Sequence, residues 1–161
     1  MISPNAVLHL FCGKIASGKS TLARSLAEAP ATVLISEDAW LSALYADQLK
    51  SGQDYLRYSA KLQTVLGPHI AVLLRAGVSV VLDCPANTVE QRAWMRDLIS
   101  GEGALHQMHV LDLPDAKLLA RLRHRNASGE HPFTVSEEMF DRFSAAFVPP
   151  SKGEGFNIVA H

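Results

Sequence analysis

The chain has 161 residues and a mass of 17.5 kDa, which is the length of one domain and too short for a two-domain enzyme. Hydrophobic residues make up 48% and charged residues 19% of the chain, and this composition excludes a disordered protein and a coiled coil. The formal net charge is -1, so the chain lacks the overall positive field that supports non-specific binding to nucleic acids or anionic membranes.

The two cysteines, Cys12 and Cys84, both lie inside apolar runs. This placement favours buried free thiols in a reducing compartment over a disulfide framework or a metal site. Residues 1–5 hold no basic stretch leading into a long apolar one, and no apolar run approaches the ~18 residues of a membrane span. We therefore expect a cytoplasmic protein that does not associate with membranes.

Short β-rich runs alternate with longer helical patterns, which is typical of an α/β domain with a mainly parallel sheet. We predict strands over 6–12, 32–35, 78–84, 107–113 and 156–160, and helices over 19–28, 38–49, 55–76, 89–99, 115–125 and 136–147. A polar, turn-rich stretch over 126–134 predicts a mobile loop hinged on the fifth helix. Residues 1–161 are expected to form one domain with a lid region at about 121–135.

The first predicted strand runs directly into a glycine-rich segment that fits the pattern G-x-x-x-x-G-K-[ST] and opens a helix. Gly13 and Gly18 let the backbone curl so that amide groups point at phosphate oxygens, and the positive end of the helix reinforces this. Lys19 supplies a charge to the β and γ phosphates, and the Ser20 hydroxyl is placed to ligate Mg²⁺. We therefore predict ATP and Mg²⁺ as cofactors, with these nucleotide-binding residues: Gly13, Lys14, Ile15, Ala16, Ser17, Gly18, Lys19, Ser20 and Thr21.

The apolar strand predicted over 78–84 carries a carboxylate, Asp83, near its end. In a parallel sheet this end lies on the edge where ligands bind, beside the first loop. Asp83 is therefore a candidate to hold Mg²⁺ through water or to orient Ser20. The alternative is an aspartate that only caps the end of the strand.

A second pair of carboxylates, Glu37 and Asp38, follows Ser36 at the end of the second predicted strand. Ser36 or Asp38 can serve simply as the N-cap of the next helix. A carboxylate at this edge of the sheet is also placed to take a proton from an acceptor hydroxyl that attacks a γ-phosphoryl group. We predict Asp38 as this base, with Glu37 as the second choice.

Arg121, Arg123 and Arg125 lie at the end of the fifth helical pattern, and positions 121 and 125 share one face. Cations near a helix C-terminus can merely complement the helix dipole. The alternative is that one or two of them reach over the phosphates and stabilise charge on the transferring group.

These residues together resemble the small P-loop kinases, in the group that includes the kinase domain of phage-type polynucleotide kinases, zeta toxins and chloramphenicol phosphotransferase. The resemblance covers most of the chain and is carried by the segment 13–20, Asp38, Asp83, Asn87, Arg92, Arg121 and Arg125.

The resemblance implies a P-loop NTPase-type, three-layer α/β sandwich with a five-stranded parallel sheet flanked by helices. In this family the Asp after the second strand is the general base toward the acceptor hydroxyl, which assigns that role to Asp38. The arginines of the family's lid helix fall best on Arg121 and Arg125.

The motif and the resemblance predict a kinase that moves the γ-phosphoryl group of ATP to a hydroxyl of a small molecule. Polynucleotide kinases resemble this chain but usually place an arginine three residues after the base, where this sequence has Leu41. One apolar stripe is suited either to an acceptor pocket or to the core, and it consists of Trp40, Leu41, Leu44, Tyr45, Tyr55 and Tyr58. The alternatives are a polynucleotide 5′-hydroxyl kinase, which needs a basic groove, and a nucleotide-binding ATPase or switch module.

Overall fold

The computed structural model describes residues 5–129 and 134–161, apart from the side chain of Glu102. Its sheet has five strands, β1 (Val7–Cys12), β2 (Thr32–Ser36), β3 (Ser79–Asp83), β4 (Leu105–Val110) and β5 (Ile158–Ala160). All four strand pairs are parallel, and the strand order is β2-β3-β1-β4-β5. The carboxyl ends of β1, β2 and β3 therefore lie side by side at one edge of the sheet, which is where the predicted site residues follow the strands.

The helices are α1 (Lys19–Leu26), α2 (Glu37–Tyr45), α3 (Gly52–Arg75), α4 (Val89–Glu102), α5 (Asp115–Ser128) and α6 (Glu137–Ala146), with 3₁₀ turns over Ala46–Gln48 and Lys152–Glu154. Side-chain hydroxyls cap the N-termini of α3, α4 and α6, at Ser51, Thr88 and Ser136. No helix in the described ranges is long and apolar enough to cross a membrane.

The mobile loop predicted over 126–134 is wrong in its first part, because α5 continues through Ser128. Gly129 ends the helix with φ 67°, in the left-handed conformation that glycine adopts easily. Asn126 remains helical and its side-chain amide donates to the carbonyl of Val135 at 2.7 Å, which fixes the return of the chain toward α6. Residues 130–133 of that prediction lie outside the described residues, whereas Thr134 is described and belongs to no helix or strand.

The side chains of β1 alternate between two apolar clusters, one on each face of the sheet. Leu8 and Leu10 pack with α3 and α4 on one face, whereas Phe11 packs with Ala23 of α1 on the other. Both faces of the sheet are thus covered by helices, which confirms the predicted three-layer α/β sandwich. Cys12 and Cys84 are buried free thiols, as predicted.

The helices α5 and α6 form a smaller cluster at the carboxyl edge of the sheet. Leu118 and Leu122 of α5 are buried with Phe140 of α6, and they pack against Ile15 and Ala16 in the loop after β1. This contact places the predicted lid helix against the glycine-rich loop.

Three histidines form a row across β1, β4 and the residue after β5. His109 Nε2 lies 3.1 Å from His9 Nδ1, and His109 Nδ1 lies 2.8 Å from His161 Nε2. His109 is buried and stacks on Phe11 with ring centroids 5.3 Å apart. Burial, the largest cause, together with the neighbouring His9 and His161, lowers the pKa of His109 to about 4.

Candidate active site

The loop between β1 and α1 has the conformation that its glycines permit. Gly18 has φ 99° and Ala16 has φ 65°. A Cβ atom at Gly13 would lie 2.6 Å from Ser17 Oγ and 2.9 Å from the carbonyl oxygen of Leu111, so the backbone passes too closely there for any side chain. Within the described residues Ser17 Oγ is buried without a hydrogen-bond partner, which leaves a hydroxyl donor for a ligand held by the loop.

The Lys19 ammonium lies against this loop at the start of α1. It donates to the carbonyl of Lys14 at 2.9 Å and to the carbonyl of Gly13 over a shorter distance. Burial lowers the pKa of Lys19 to about 8, and the negative charge of Asp83 opposes this effect. A cation at this position is poorly solvated by water, so it gains more than a surface lysine does from an incoming anion.

Ser20 and Asp83 meet as the sequence predicts. Ser20 Oγ donates to Asp83 Oδ2 at 2.9 Å, which joins the first turn of α1 to the end of β3. In the described parts of the chain no group of three or more His, Cys, Asp or Glu side chains could hold a metal ion. A hydroxyl and a carboxylate are oxygen ligands suited to Mg²⁺, which in nucleotide sites takes its other ligands from phosphates and water.

The β3–α4 loop contacts the loop over 13–18 between β1 and α1, here called the phosphate loop, through Asn87. The sequence does not reveal this role. The backbone N–H of Gly13 donates to Asn87 Oδ1 at 2.9 Å, although the two residues are 74 positions apart. The backbone N–H of Asn87 in turn donates to Gln91 Oε1 at 2.9 Å. Asn87 is one of the residues that carry the resemblance to small P-loop kinases, but its position in the sequence does not predict a hydrogen bond with Gly13.

Arg92, also part of that motif, is fully buried and holds the C-terminal segment. Its guanidinium pairs with Glu154 at 2.8 Å and donates to the carbonyls of Val148 at 2.7 Å and Ala86 at 2.9 Å. These contacts join α4 to the chain that follows α6. The role of Arg92 is thus to support the loop that carries Asn87.

The structure separates the two carboxylates that follow β2. Ser36 accepts from the backbone N–H of Ala39 at 3.4 Å, so Ser36 is the N-cap of α2 and Asp38 is not. Glu37 is 1% exposed, and its carboxylate oxygens accept from the hydroxyls of Tyr55, at 2.9 Å, and Ser59. Burial raises the pKa of Glu37, and the hydrogen bonds from the two hydroxyls oppose this effect.

Asp38 is partly exposed and faces the charges of the site instead. Its negative charge raises the pKa of Lys19 and that of Arg125, in both cases against the larger effect of burial. Asp38, the predicted base, is therefore electrostatically coupled to Lys19 at the start of α1 and to Arg125 of the predicted lid helix.

The arginines of α5 divide into two groups. Arg121 places Nη1 3.8 Å from the position that a Cβ would take at Gly18. Arg125 is partly buried, and among the described residues its Nε has no hydrogen-bond partner. Burial lowers the pKa of Arg125, and the negative charge of Asp38 opposes this effect. Arg123 lies at the surface and pairs with Glu137 at 2.5 Å. The structure thus brings Arg121 and Arg125 to the phosphate loop, while their action on phosphate stays a prediction.

The apolar stripe proposed for an acceptor pocket is divided between core and surface. Leu41 is 0% exposed and belongs to the core, and Tyr45 stacks on Tyr58 with centroids 4.3 Å apart. Trp40 is 38% and Leu44 60% exposed. Of this stripe, Trp40 and Leu44 are the large apolar residues that offer surface to an acceptor.

The sequence matches a known family over most of its length. The profile of the AAA_33 family, described as an AAA domain, matches residues 8–150. The chain belongs to this AAA domain family. No protein with curated annotation matches the sequence of this AAA_33 domain.

Solved structures share the fold of this AAA_33 domain. A provisionally assigned kinase from Chloroflexus aurantiacus is 21% identical with a TM-score of 0.76, over 98% of this chain and 85% of that one. The APS kinase CysC of Mycobacterium tuberculosis, solved with AMPPNP and APS, is 25% identical with a TM-score of 0.57, over 80% and 77%.

The Pnkp1/Rnl/Hen1 RNA repair complex contains a chain that is 21% identical with a TM-score of 0.68, over 88% of this chain and 43% of that one. The likeness to these structures confirms the predicted P-loop kinase-like fold and the family resemblance.

Proposed function

We propose that the chain is a kinase that uses ATP and Mg²⁺ to phosphorylate a hydroxyl of a small-molecule acceptor. The observation that carries the proposal is the Ser20–Asp83 hydrogen bond beside the loop that holds the Lys19 ammonium, with the charge of Asp38 also acting on Lys19 and Arg125. A base, a phosphate-binding lysine and a lid arginine at one site are the groups that phosphoryl transfer to a hydroxyl requires. Similarity to an APS kinase solved with AMPPNP supports nucleotide binding.

The residues of the loop fit the triphosphate of ATP. The close backbone at Gly13, the buried hydroxyl of Ser17 and the poorly solvated ammonium of Lys19 all favour an anion held by the loop. Ser20 and Asp83 are the residues that would hold Mg²⁺. When bound, this ion neutralises charge on the phosphates.

On this proposal the acceptor hydroxyl attacks the γ-phosphorus while Asp38 takes its proton. A bond forms between the acceptor oxygen and phosphorus, the bond from phosphorus to the oxygen that bridges to the β phosphate breaks, and ADP leaves with that oxygen. Lys19, Arg121 and Arg125 stabilise the charge on the transferring group. Glu37 is poorly suited to act as the base, because both of its oxygens already accept hydrogen bonds from α3.

The proposal is tested by incubating the protein with γ-labelled ATP and a panel of hydroxyl compounds and 5′-OH oligonucleotides, and by following the label. Asp38→Asn should lower kcat by ~10² to 10⁴-fold while the affinity for ATP stays nearly unchanged. Asp47→Asn is the matched control, because Asp47 is an exposed aspartate just after α2. An equal loss of ATP affinity in Asp38→Asn would instead place Asp38 in the Mg²⁺ site.

A polynucleotide 5′-hydroxyl kinase is the second candidate, and the likeness to a chain of the Pnkp1/Rnl/Hen1 complex favours it. Leu41 favours the small acceptor, because this residue, three positions after Asp38, is buried and apolar and cannot offer a charge to a phosphate. Salt separates the two candidates. The KM of a small uncharged acceptor should vary weakly with salt, whereas that of an oligonucleotide should change with a slope of ~0.7 per phosphate contacted.

A nucleotide-binding ATPase or switch module is the candidate from another class. It would bind ATP with no dependence on an acceptor and would label no hydroxyl compound in the panel. Location in the cytoplasm and the absence of a membrane partner stay predictions.

A further inference from the structure

The carboxylate of Glu37 is held from two consecutive turns of α3. Tyr55 and Ser59 are four residues apart in that helix, and each donates its hydroxyl to a different oxygen of the same carboxylate. Glu37 is 1% exposed and Ser59 is 7% exposed, so the arrangement is closed to solvent. Glu37 is also the first residue of α2 and the neighbour of Asp38 in the chain.

Packing alone does not require a carboxylate at this position. Leu41, four residues later on the same face of α2, reaches the core as an apolar side chain and is fully buried. A buried carboxylate costs free energy that a leucine does not. The contact of Leu41 is non-directional, whereas the two hydrogen bonds of Glu37 fix both the position and the rotation of the first turn of α2.

Rotation of that turn matters because Asp38 lies on it. Successive residues of a helix point about 100° apart, so a turn anchored through position 37 also fixes the direction of the side chain at 38. Asp38 acts on Lys19 and Arg125, which belong to two other segments, and its direction therefore sets the geometry of the site.

We propose that Glu37, Tyr55 and Ser59 form a clamp that positions Asp38 toward the acceptor hydroxyl. The clamp rests on the proposed function, since it acts on the base of that reaction. Glu37 is a positioning residue and does not touch the reacting atoms. Tyr55 and Ser59 act only through it.

The clamp is tested by removing its hydroxyls one at a time, with Tyr55→Phe and Ser59→Ala. Each should lower kcat by ~10 to 10²-fold, because a shift of the base by a fraction of an ångström weakens the proton transfer. The KM for ATP should change by less than ~2-fold, since the phosphate loop is untouched. Thr64→Val is the matched control, because Thr64 is an exposed hydroxyl of α3 that donates to the carbonyl of Lys61.

A double-mutant cycle shows whether the clamp acts through Asp38. Ser59→Ala should lower kcat in the native background but have little further effect when Asp38→Asn is already present. Glu37→Gln keeps an acceptor oxygen for one hydroxyl and should lose less activity than Glu37→Ala. The clamp is overturned if Tyr55→Phe and Ser59→Ala have the same kcat as Thr64→Val, or if Ser59→Ala lowers kcat by the same factor in the Asp38→Asn background as in the native one. It is also overturned if Glu37→Gln is as inactive as Asp38→Asn, because Glu37 would then be the base.

Hydrogen exchange of the amides at 38–41 tests the clamp without measuring activity, so a failure of the clamp can be distinguished from a failure of the proposed function. A wild-type protein that labels no acceptor refutes the kinase. Even then, faster exchange at 38–41 in Ser59→Ala than in Thr64→Val supports the clamp on α2, and unchanged exchange overturns it.

Discussion

Replacing Lys19 with methionine should stabilise the ligand-free protein and abolish phosphoryl transfer. The folded pKa of Lys19 is about 8, compared with an ordinary value of 10.5. This difference corresponds to about 3 kcal/mol of free energy lost by keeping the ammonium charged in the folded state at pH 7. The side chain is partly exposed, so we reduce the figure to about 2 kcal/mol for screening by solvent.

The variant also loses two hydrogen bonds, to the carbonyls of Gly13 and Lys14, which returns about 1 kcal/mol in all, at about 0.5 kcal/mol for each bond of this partly exposed ammonium. Methionine keeps most of the aliphatic stem. The expected net gain at pH 7 is therefore about 1 kcal/mol in the free energy of unfolding.

The pH dependence identifies the cause of the gain. Below about pH 8 the ammonium is charged in both states, and its cost in the folded state is fully present. Between about pH 8 and 10.5 the folded protein releases the proton while the unfolded chain keeps it, so unfolding takes up a proton. The stability of the wild-type protein should therefore rise with pH across this window, relative to the variant.

Urea denaturation of both proteins at pH 7 and near pH 10 measures these changes, and labelled ATP measures transfer. Lys117→Met is the control, because Lys117 is an exposed lysine of α5. Saturating Mg·ATP should raise the stability of the wild-type protein and not that of Lys19→Met. The reasoning fails if Lys19→Met is less stable than wild type at pH 7, or if the difference between them does not change with pH.

Three further outcomes are expected. Arg92→Met should lower the free energy of unfolding by about 3 kcal/mol in urea denaturation, because it removes the ion-pair partner of Glu154, whose side chain is 10% exposed. The exposed Arg142→Met should cost less than about 1 kcal/mol. Wild-type stability should fall by at most about 3 kcal/mol as the pH drops from 6.5 to 4, because histidine takes up a proton in the unfolded chain while His109 stays neutral in the folded protein. His109→Phe should remove that loss in acid titration. Arg125→Met should lower kcat by ~10²-fold or more, while Arg123→Met leaves it nearly unchanged in the labelled-ATP assay.

The strands were predictable because each is a short apolar run between turn signals, and the errors lie at ends that only pairing decides. The sequence pattern predicts a strand over 107–113, whereas β4 covers Leu105–Val110. Leu105 lies outside the predicted strand and its side chain is exposed, but it lies opposite Val7 in the pairing with β1. The register of the neighbouring strand, which the sequence of β4 does not contain, therefore sets where β4 begins.

The site was predictable to the extent that its residues are contiguous in sequence. The phosphate loop is a single segment whose spacing specifies its own conformation, and Asp38 and Asp83 follow from their positions at strand ends. The contacts of Asn87, Glu37 and Arg92 were not predictable. A buried polar side chain needs particular partners, and those partners lie 74, 18 and 62 positions away.

In the lid helix α5, the spacing of the buried leucines also decides which arginines lie beside the phosphate loop. Leu118 and Leu122 are buried against the phosphate loop, and Arg121 and Arg125 each follow one of them by three positions, which places them beside the same face. Arg123 falls one residue after Leu122, about 100° around the helix, and it pairs with α6 instead. The leucines that hold α5 on the loop thus determine which arginines turn to the phosphates, so a substitution at Leu122 should disturb transfer without removing any charge.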